Sequence, residues 1–342
     1  MGPEARQTET TRWRVGAALG TVYLVWGSTY LAIRFAVETL PPLLMAGVRY
    51  TLAGSVLYAF LRLRGAPPPA RRDWLPAAFV GLLMVTVGNG ALSWAEVTVP
   101  SGTAALLVAS MPVWMVLLDW LAFGGRRPRA AVGLGLLAGI AGVALLLGSG
   151  HGGGAAADAH RRVLGGLVVL VGSMGWAFGS LWSRDVPLPS PPLLGTALQM
   201  LCGGIVLTLV GLAAGEASVL AARPPSLRSL AGLAYLIVLG SLVAYTAYMW
   251  VLRHASASLV STYAYVNPVV AVFLGWLIAG ETLSARTLLA AAVIVAAVAV
   301  IITFRRPRPP RGPEGGGATS PGRGGPGTGR SGEPRPAPSG AP

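Results

Sequence analysis

The chain has 342 residues, of which 54% are hydrophobic and only 11% are charged, and its mean hydropathy is +0.64. Soluble domains contain about 25% charged residues, and a chain with far fewer cannot cover a soluble core with a charged surface. The composition therefore excludes an ordinary soluble domain and predicts an integral membrane protein.

The residue types that are missing exclude several kinds of chemistry. All 26 basic residues are arginine, which excludes a P-loop lysine and a Schiff-base lysine. Cys202 is the only cysteine, which excludes an intrachain disulfide and a cysteine-rich zinc or iron–sulfur site. The three histidines, His151, His160 and His254, do not have the spacing of metal ligands. We therefore predict no catalytic residue, no metal, no cofactor and no enzymatic activity.

In chain order, the sequence begins with a polar segment, residues 1–14, which we expect to be loose. Ten apolar runs follow, and each is long enough to span a bilayer as a helix of about 20 residues. The runs cover approximately residues 15–36, 40–63, 75–96, 101–122, 130–149, 163–183, 192–213, 229–252, 257–279 and 286–304. The segment from Pro307 to Pro342 has 10 prolines and 11 glycines and is expected to be disordered.

The distribution of arginine predicts the orientation in the membrane. The net charge of +14 is concentrated at the ends of the apolar runs, where cytoplasmic loops and anionic lipid headgroups favour it. With the N-terminus inside, sixteen arginines fall on the cytoplasmic side and six on the outer side. We therefore expect a multi-pass protein of the bacterial inner (plasma) membrane with both termini in the cytoplasm. The lipid bilayer explains the basic residues, and no nucleic-acid partner is expected.

The chain contains an internal repeat. A shift of 150 residues superimposes Trp26 on Trp176, Arg34 on Arg184, Pro41-Pro42 on Pro191-Pro192 and Gly54 on Gly204. A shift of 156 residues superimposes Trp94 on Trp250, Pro112 on Pro268, Trp120 on Trp276 and Gly124 on Gly280. Each copy holds five spans, an odd number, so the second copy enters the membrane from the opposite side. This inverted repeat is typical of secondary transporters, although a duplication kept for folding alone has the same pattern.

Five short motifs are typical of one family: Trp26–Tyr30, Ala46–Tyr50, Gly88–Gly90, Tyr263–Pro268 and Gly280–Ser284. They resemble the EamA branch of the drug/metabolite transporter superfamily, and within it the YedA-type inner-membrane exporters. The resemblance covers about residues 15–304. It implies ten transmembrane helices arranged as two inverted five-helix EamA repeats, a central cavity between the repeats, and export of metabolites or toxic compounds.

The resulting organisation has five parts. They are a cytoplasmic segment (1–14), EamA repeat 1 (15–149), an extracytoplasmic connecting loop (150–162), EamA repeat 2 (163–304) and the Pro/Gly/Arg-rich cytoplasmic tail (305–342). One motif departs from the family pattern. The Gly-Glu pair expected at the end of the fourth span is Gly124-Gly125 here, whereas the second repeat keeps Gly280-Glu281. A role that needs this acid in both repeats is therefore not expected.

Polar and aromatic side chains form stripes on five of the spans. Polar residues inside a bilayer usually face protein or a water-filled cavity, because facing lipid is costly. Together the stripes predict a pathway that stacks planar or apolar solutes and hydrogen-bonds their polar groups, although hydrogen bonds between helices have the same pattern. The predicted solute-binding residues are Trp26, Thr29, Tyr30, Arg49, Asn89, Ser93, Glu96, Trp176, Ser180, Tyr245, Tyr248, Tyr263 and Asn267.

The charged residues within or beside the spans have specific expected roles. Arg49 lies inside the second span, where a guanidinium needs a partner or a cavity. It is either an anchor for an anionic group of the solute or the ion-pair partner of Glu96. Glu96 is the best candidate for proton coupling, or else an ordinary acid in the outer interface. Asp119 is expected to pair or snorkel near the cytoplasmic surface, and Glu281 is expected to cap the last helix.

These observations predict a secondary transporter that exports small metabolites or drug-like solutes by alternating access of the two repeats. Proton coupling is a further hypothesis that rests on Glu96. An importer on the same fold and a non-transport membrane scaffold are the alternatives. The expected partner is a small-molecule solute, and the protein is expected to be a monomer or a homodimer.

Overall fold

The structure, a computed structural model, describes residues 3–125, 127–147, 156–183, 192–254 and 262–304. Within these ranges every regular element is a helix, as the sequence predicted. A bilayer offers no water to backbone N–H and C=O groups, so a spanning segment of this kind satisfies them internally as a helix. The predicted disordered tail lies outside the described residues.

The described part of the chain has one helix for each predicted apolar run. The helices are α1 (Pro3–Ala36), α2 (Pro42–Leu63), α3 (Arg71–Ala95), α4 (Ser101–Ala122), α5 (Ala130–Leu147), α6 (Ala156–Trp182), α7 (Pro192–Ala213), α8 (residues 227–254), α9 (Tyr263–Ala279) and α10 (Ala285–Phe304). A short helix, Glu216–Ala222, lies between α7 and α8.

Seven of these helices contain a stretch long and apolar enough to cross a membrane: α1, α2, α3, α4, α6, α7 and α8. The apolar parts of α5, α9 and α10 are shorter and cover Ala130–Leu145, Val266–Ala279 and Ala285–Ile301. A total of ten spans therefore stays a prediction, while the helical fold itself is confirmed.

Two helices begin earlier in the chain than the apolar runs that predict them. Residues 1–14 were expected to be loose, but α1 begins at Pro3. Proline is favoured at the first position of a helix, and no glycine lies between Pro3 and Gly16. The connecting loop was expected to extend to residue 162, but α6 begins at Ala156. Its first turns contain alanine, which is the strongest helix former.

The internal repeat extends to the local backbone. The helices α2 and α7 have the same length and begin and end 150 residues apart. The middle helices α3 and α8 each contain π-helical turns, at Leu82–Asn89 and Leu236–Val243. Gly124 and Gly280, 156 residues apart, end α4 and α9 in the same left-handed conformation, with φ of 68° and 66°. The repeat seen in the sequence is therefore also a repeat of structure.

The two repeats meet where α2 crosses α7. A Cβ atom on Gly54 would lie 2.6 Å from the backbone N of Leu201, and one on Gly204 would lie even closer to the backbone N of Thr51. Gly54 and Gly204 are repeat mates, and so are Thr51 and Leu201. The contact is therefore reciprocal, which puts the pseudo-two-fold axis at this crossing. Small residues at such a crossing let membrane helices pack backbone against backbone.

We predict that Gly54→Ala and Gly204→Ala each destabilise the protein, because the added methyl group meets backbone atoms that cannot move independently. The expected loss is about 1–3 kcal/mol, the usual cost of overpacking. It is measured as a lower melting temperature of the purified protein in detergent. Gly133→Ala in α5 is the matched control, since a Cβ there meets nothing within 4 Å. Equal melting temperatures for all three variants would contradict the reciprocal crossing.

Candidate solute-binding site

A central cavity of about 90 Å³ lies between the two repeats. Helices α1, α2, α3 and α4 of the first repeat and α6, α8 and α9 of the second contribute its walls. Nine of the thirteen predicted residues line it: Trp26, Thr29, Tyr30, Arg49, Asn89, Trp176, Tyr245, Tyr263 and Asn267. The structure thus brings most of the polar and aromatic stripes to one place. Whether they bind a solute stays a prediction.

Trp26 lies at the centre of an aromatic cluster in this cavity. Its ring centroid is 4.8 Å from that of Tyr248, 5.6 Å from Tyr263, 6.2 Å from Tyr245 and 6.4 Å from Trp176. Most of these pairs are edge-to-face, an arrangement that aromatic rings favour. The cluster therefore presents both ring faces and ring edges towards the cavity.

Several pairs of repeat mates line the cavity together. Trp26 and Trp176 are 150 residues apart in sequence and are in direct ring contact. Asn89 and Tyr245, 156 residues apart, both line the cavity, as do Met111 and Asn267. The cavity therefore contains contributions from equivalent positions of both halves.

The π-helical turns of α8 hold two of the lining side chains. A π turn contains one extra residue per turn and often occurs at functional sites, because it changes which backbone and side-chain groups face a cavity. The Nε1 atom of Trp26 donates to the carbonyl of Gly240 at 3.2 Å, and Nε of Arg49 donates to Oγ of Ser241 at 2.9 Å. The corresponding turns of α3 bring Gly88 and Asn89 to the opposite wall.

Arg49 is buried, with 3% of its surface exposed, and lines the cavity. Besides its bond to Ser241, its guanidinium carbon lies 4.5 Å from the ring centroid of Tyr50, a cation–π contact. The predicted alternative, an ion pair with Glu96, is not formed: within the described residues, neither carboxylate oxygen of Glu96 has a hydrogen-bond partner. The geometry of Arg49 therefore favours the anchor hypothesis.

Four predicted residues lie outside the lining. Ser93 and Glu96 are completely buried beside the cavity. The hydroxyl of Ser180 donates to the carbonyl of Trp176 at 2.7 Å within its own helix. Tyr248 contributes to the aromatic cluster from behind Trp26. The stripes on α3 and α6 thus contain both cavity residues and residues that face neighbouring helices.

Sequence reasoning missed several residues of the site, among them the lining residues Tyr50 and Met111 and the hydrogen-bond acceptor Gly240. Tyr50 is next to Arg49 in a motif and could have been included on that ground. Met111 could have been found by applying the repeat shift to Asn267. Gly240 has no signal in the sequence, because it acts through its backbone carbonyl.

The expected role of Glu281 was wrong. Its carboxylate caps α4 of the other repeat, accepting from the backbone N and Oγ of Ser101 at 2.8 and 2.7 Å and from the backbone N of Gly102 at 3.1 Å. Carboxylates are favourable at helix N-termini because four N–H groups there have no partner within the helix. The last helix α10 is capped instead by Ser284, whose Oγ accepts from the backbone N of Thr287.

Glu281 fits into this space because the residue that lies beside it, at position 275, is glycine. In the first repeat the acid and the glycine have exchanged positions. A Cβ on Gly275 would lie 2.6 Å from Oε2 of Glu281. In the first repeat the acid is Asp119 and the glycine is Gly125, whose Cβ would lie 2.5 Å from Oδ2 of Asp119. Positions 119 and 275 are repeat mates, and so are positions 125 and 281. Each repeat therefore keeps one carboxylate in this space, from a different position.

The EamA-like transporter family matches residues 15–148 and 163–303, which are the two halves of the fold. The chain belongs to the EamA-like transporter family. It is 42% identical to the inner membrane transporter YedA of Escherichia coli (strain K12) over 285 residues, which cover 83% of this chain and 89% of YedA. The resemblance stated from the motifs is therefore confirmed.

More distant relatives also match over most of their length. The transporter YvbV of Bacillus subtilis (strain 168) is 27% identical, over 85% of this chain and 92% of its own. The protein PecM of Dickeya dadantii (strain 3937) is 29% identical, over 81% and 88%. A solved crystal structure is 21% identical with a TM-score of 0.57, over 85% of this chain and 99% of that one, and supports the fold alone.

We predict that Glu281→Ala lowers the free energy of unfolding by about 1–3 kcal/mol, because two backbone N–H groups of α4 lose a charged acceptor. The measurement is the melting temperature in detergent. Glu281→Gln is expected to lose less, since an amide oxygen still accepts. Glu38→Ala is the control, because Glu38 forms an exposed ion pair with Arg228 that contributes little. A loss no larger than that of Glu38→Ala would contradict the capping role.

Proposed function

We propose that the protein is a secondary transporter that exports small metabolites or drug-like solutes across the inner membrane. The observation that carries this proposal is the central cavity, which equivalent positions of two inverted repeats line together. Two similar halves around a shared site can expose it to either side of the membrane in turn. Membership of the EamA-like transporter family and the 42% identity to YedA support the same conclusion.

The cavity has the chemistry for a solute with a planar part and an anionic part. The aromatic cluster stacks planar or apolar groups. The guanidinium of Arg49 binds a carboxylate or a similar anion through charge-assisted hydrogen bonds. Among the described residues, Oγ of Ser173 and Oδ1 of Asn267 have no hydrogen-bond partner, and both residues line the cavity. These two atoms supply further polar contacts.

The size of the cavity supports alternating access. Pockets that enclose drug-sized ligands measure about 300–1,000 Å³, several times more than the central cavity. A solute of that size therefore requires the walls to separate. The crossing of α2 and α7 is the natural pivot, because its backbone-to-backbone contact leaves little room for sliding.

Glu96 supports proton coupling. Its side chain is completely buried, and within the described residues its carboxylate oxygens accept no hydrogen bond. A buried carboxylate without a partner is costly, and binding a proton removes its charge. We propose that Glu96 takes up a proton in one facing state and releases it in the other. Under an inward proton gradient, exchange of the solute for a proton exports the solute, and movement of both in the same direction imports it, so an importer is an outcome of the same tests.

We predict that cells expressing the wild type enrich at least one solute in the medium relative to an empty vector, measured by untargeted mass spectrometry. For an anionic solute, Arg49→Ala is expected to reduce the enrichment about tenfold or more, the effect of one charge-assisted hydrogen bond. Arg286→Ala is the matched control, since Arg286 lines neither the central cavity nor the second cavity and binds the carbonyl of Leu145. No enrichment, with the protein detected in the membrane, would count against export.

We predict that Glu96→Gln abolishes the response of transport to a pH gradient, because the amide cannot exchange a proton. In proteoliposomes the wild type is expected to move the identified solute faster when a pH gradient is imposed. The variant is expected to exchange solute in the absence of a pH gradient. Its transport rate is expected to stay the same when a pH gradient is imposed. Glu281→Gln, which changes a capping acid, serves as the control. Wild-type transport that ignores the pH gradient would refute proton coupling.

A further inference from the structure

A second cavity of about 640 Å³ lies at one end of the helix bundle. We call it the vestibule. Four parts of the chain form its walls. They are the connection from α1 to α2 (37–42), the end of α3 with the following turn (Trp94, Val97 and Thr98), the first part of α6 (Arg161 and Leu164) and the short helix with its C-terminal flank (Glu216, Val219 and Arg223). Both repeats contribute, as they do to the central cavity. The arginine distribution of the sequence predicts that this end faces the outside of the cell.

Three helices run from the central cavity directly into the vestibule. Ile33 on α1 lines the cavity, and Val37, the first residue after α1, lines the vestibule. Leu92 on α3 lines the cavity, and Val97, in the turn that follows α3, lines the vestibule. On α6 the corresponding residues are Val169 and Leu164. At the rise of a helix, four or five residues correspond to only about 6–8 Å. The two cavities therefore follow one another along the same three helices.

Arg34 lies in the layer between the two cavities. Its NH1 donates to the carbonyls of Glu96 at 2.8 Å and Val97 at 3.2 Å, which lie at the C-terminal end of α3. A cation is favourable there, because the last carbonyls of a helix have no partner within it. These bonds tie α1 to α3 at the level that separates the cavity from the vestibule.

The vestibule has an excess of free positive charge. Of its two acids, Glu38 pairs with Arg228 at 3.2 Å. Glu216 accepts from the backbone N atoms of Leu43 and Leu44, at 3.2 and 2.8 Å, and so caps α2. The charge of Glu38 is thus balanced by Arg228, and that of Glu216 by the positive end of the α2 dipole. Among the side chains that the structure describes, no carboxylate is in ion-pair contact with Arg161 or Arg223. The uncompensated charge of the lining is therefore positive, and a concave surface of this kind raises the local concentration of anions.

We propose that the vestibule is the outer mouth of the solute pathway, that Arg161 and Arg223 make it selective for anions, and that Arg34 closes it towards Arg49. The role as a mouth rests on the proposed function. The preference for anions does not, since it depends only on the charges and the shape of the vestibule. A solute held by Arg49 would then meet further guanidinium groups on its way between the cavity and the outside.

The single native cysteine allows a direct test of the charge preference. In a Cys202→Ala background, Thr98→Cys places one thiol in the vestibule. Intact cells are treated with membrane-impermeant methanethiosulfonate reagents, one carrying a sulfonate and one a trimethylammonium group. We expect the anionic reagent to react faster. Arg161→Gln with Arg223→Gln is expected to lower the ratio of the two rates about tenfold at low ionic strength.

The matched control is Arg286→Gln, because Arg286 is an outer arginine that does not line the vestibule and binds the carbonyl of Leu145. This variant should keep the wild-type ratio of rates. A ratio that the double substitution leaves unchanged would overturn the anion preference. A thiol at position 98 that reacts only in inverted vesicles would overturn its position at the outer mouth.

The gate is tested with a thiol in the central cavity. Leu92→Cys, in the same background, is expected to react slowly from outside and at least tenfold faster when Arg34→Ala is added. Arg34→Ala should leave the labelling rate at Thr98→Cys unchanged. This comparison controls for misfolding of the variant. A Leu92→Cys rate that Arg34→Ala does not raise would overturn the gate. Because labelling requires no transport, these results stand or fall independently of whether an exported solute is found.

Discussion

The crossing of α2 and α7 is the contact on which the rest of the arrangement depends. Gly54 and Gly204 let the two helices meet backbone to backbone. Gly54 meets Leu201 and Gly204 meets Thr51, and these two residues are themselves repeat mates. This reciprocity fixes the axis that relates the halves. Arg49 on α2 and its mate Gln199 on α7 are both buried near this axis. The site can therefore lie at the centre of the bundle, with walls drawn from both repeats.

Much of the fold follows from the sequence because a bilayer leaves few alternatives. Helix positions, the repeat and most of the cavity residues were predictable from apolar runs, matched tryptophans and polar stripes. Contacts between distant residues were not. Glu281 was expected to cap the helix that follows it, yet it caps α4, which begins 180 residues earlier in the chain. The π-helical turns of α3 and α8 likewise have no local signal, since packing against neighbouring helices can stabilise them at a site.

The cavity is symmetric in position but not in chemistry. Arg49 has an uncharged mate, Gln199, and Asn89 has the aromatic mate Tyr245. If the halves exchange conformations during transport, a bound solute meets different groups in the two facing states. A symmetric cavity would hold the solute equally in both states. The differences between repeat mates therefore allow the cavity to hold the solute more tightly in one facing state than in the other.

The exchanged positions of the acids at 119 and 281 make certain substitutions dependent on one another. Gly125 leaves the space that Asp119 uses, and Gly275 leaves the space that Glu281 uses. Introducing Glu at position 125 alone would force two carboxylates into one small volume, where like charges repel. The same change becomes acceptable once position 119 is glycine. These two pairs therefore behave as epistatic units, in which a residue that is harmful alone is tolerated when its partner has changed first.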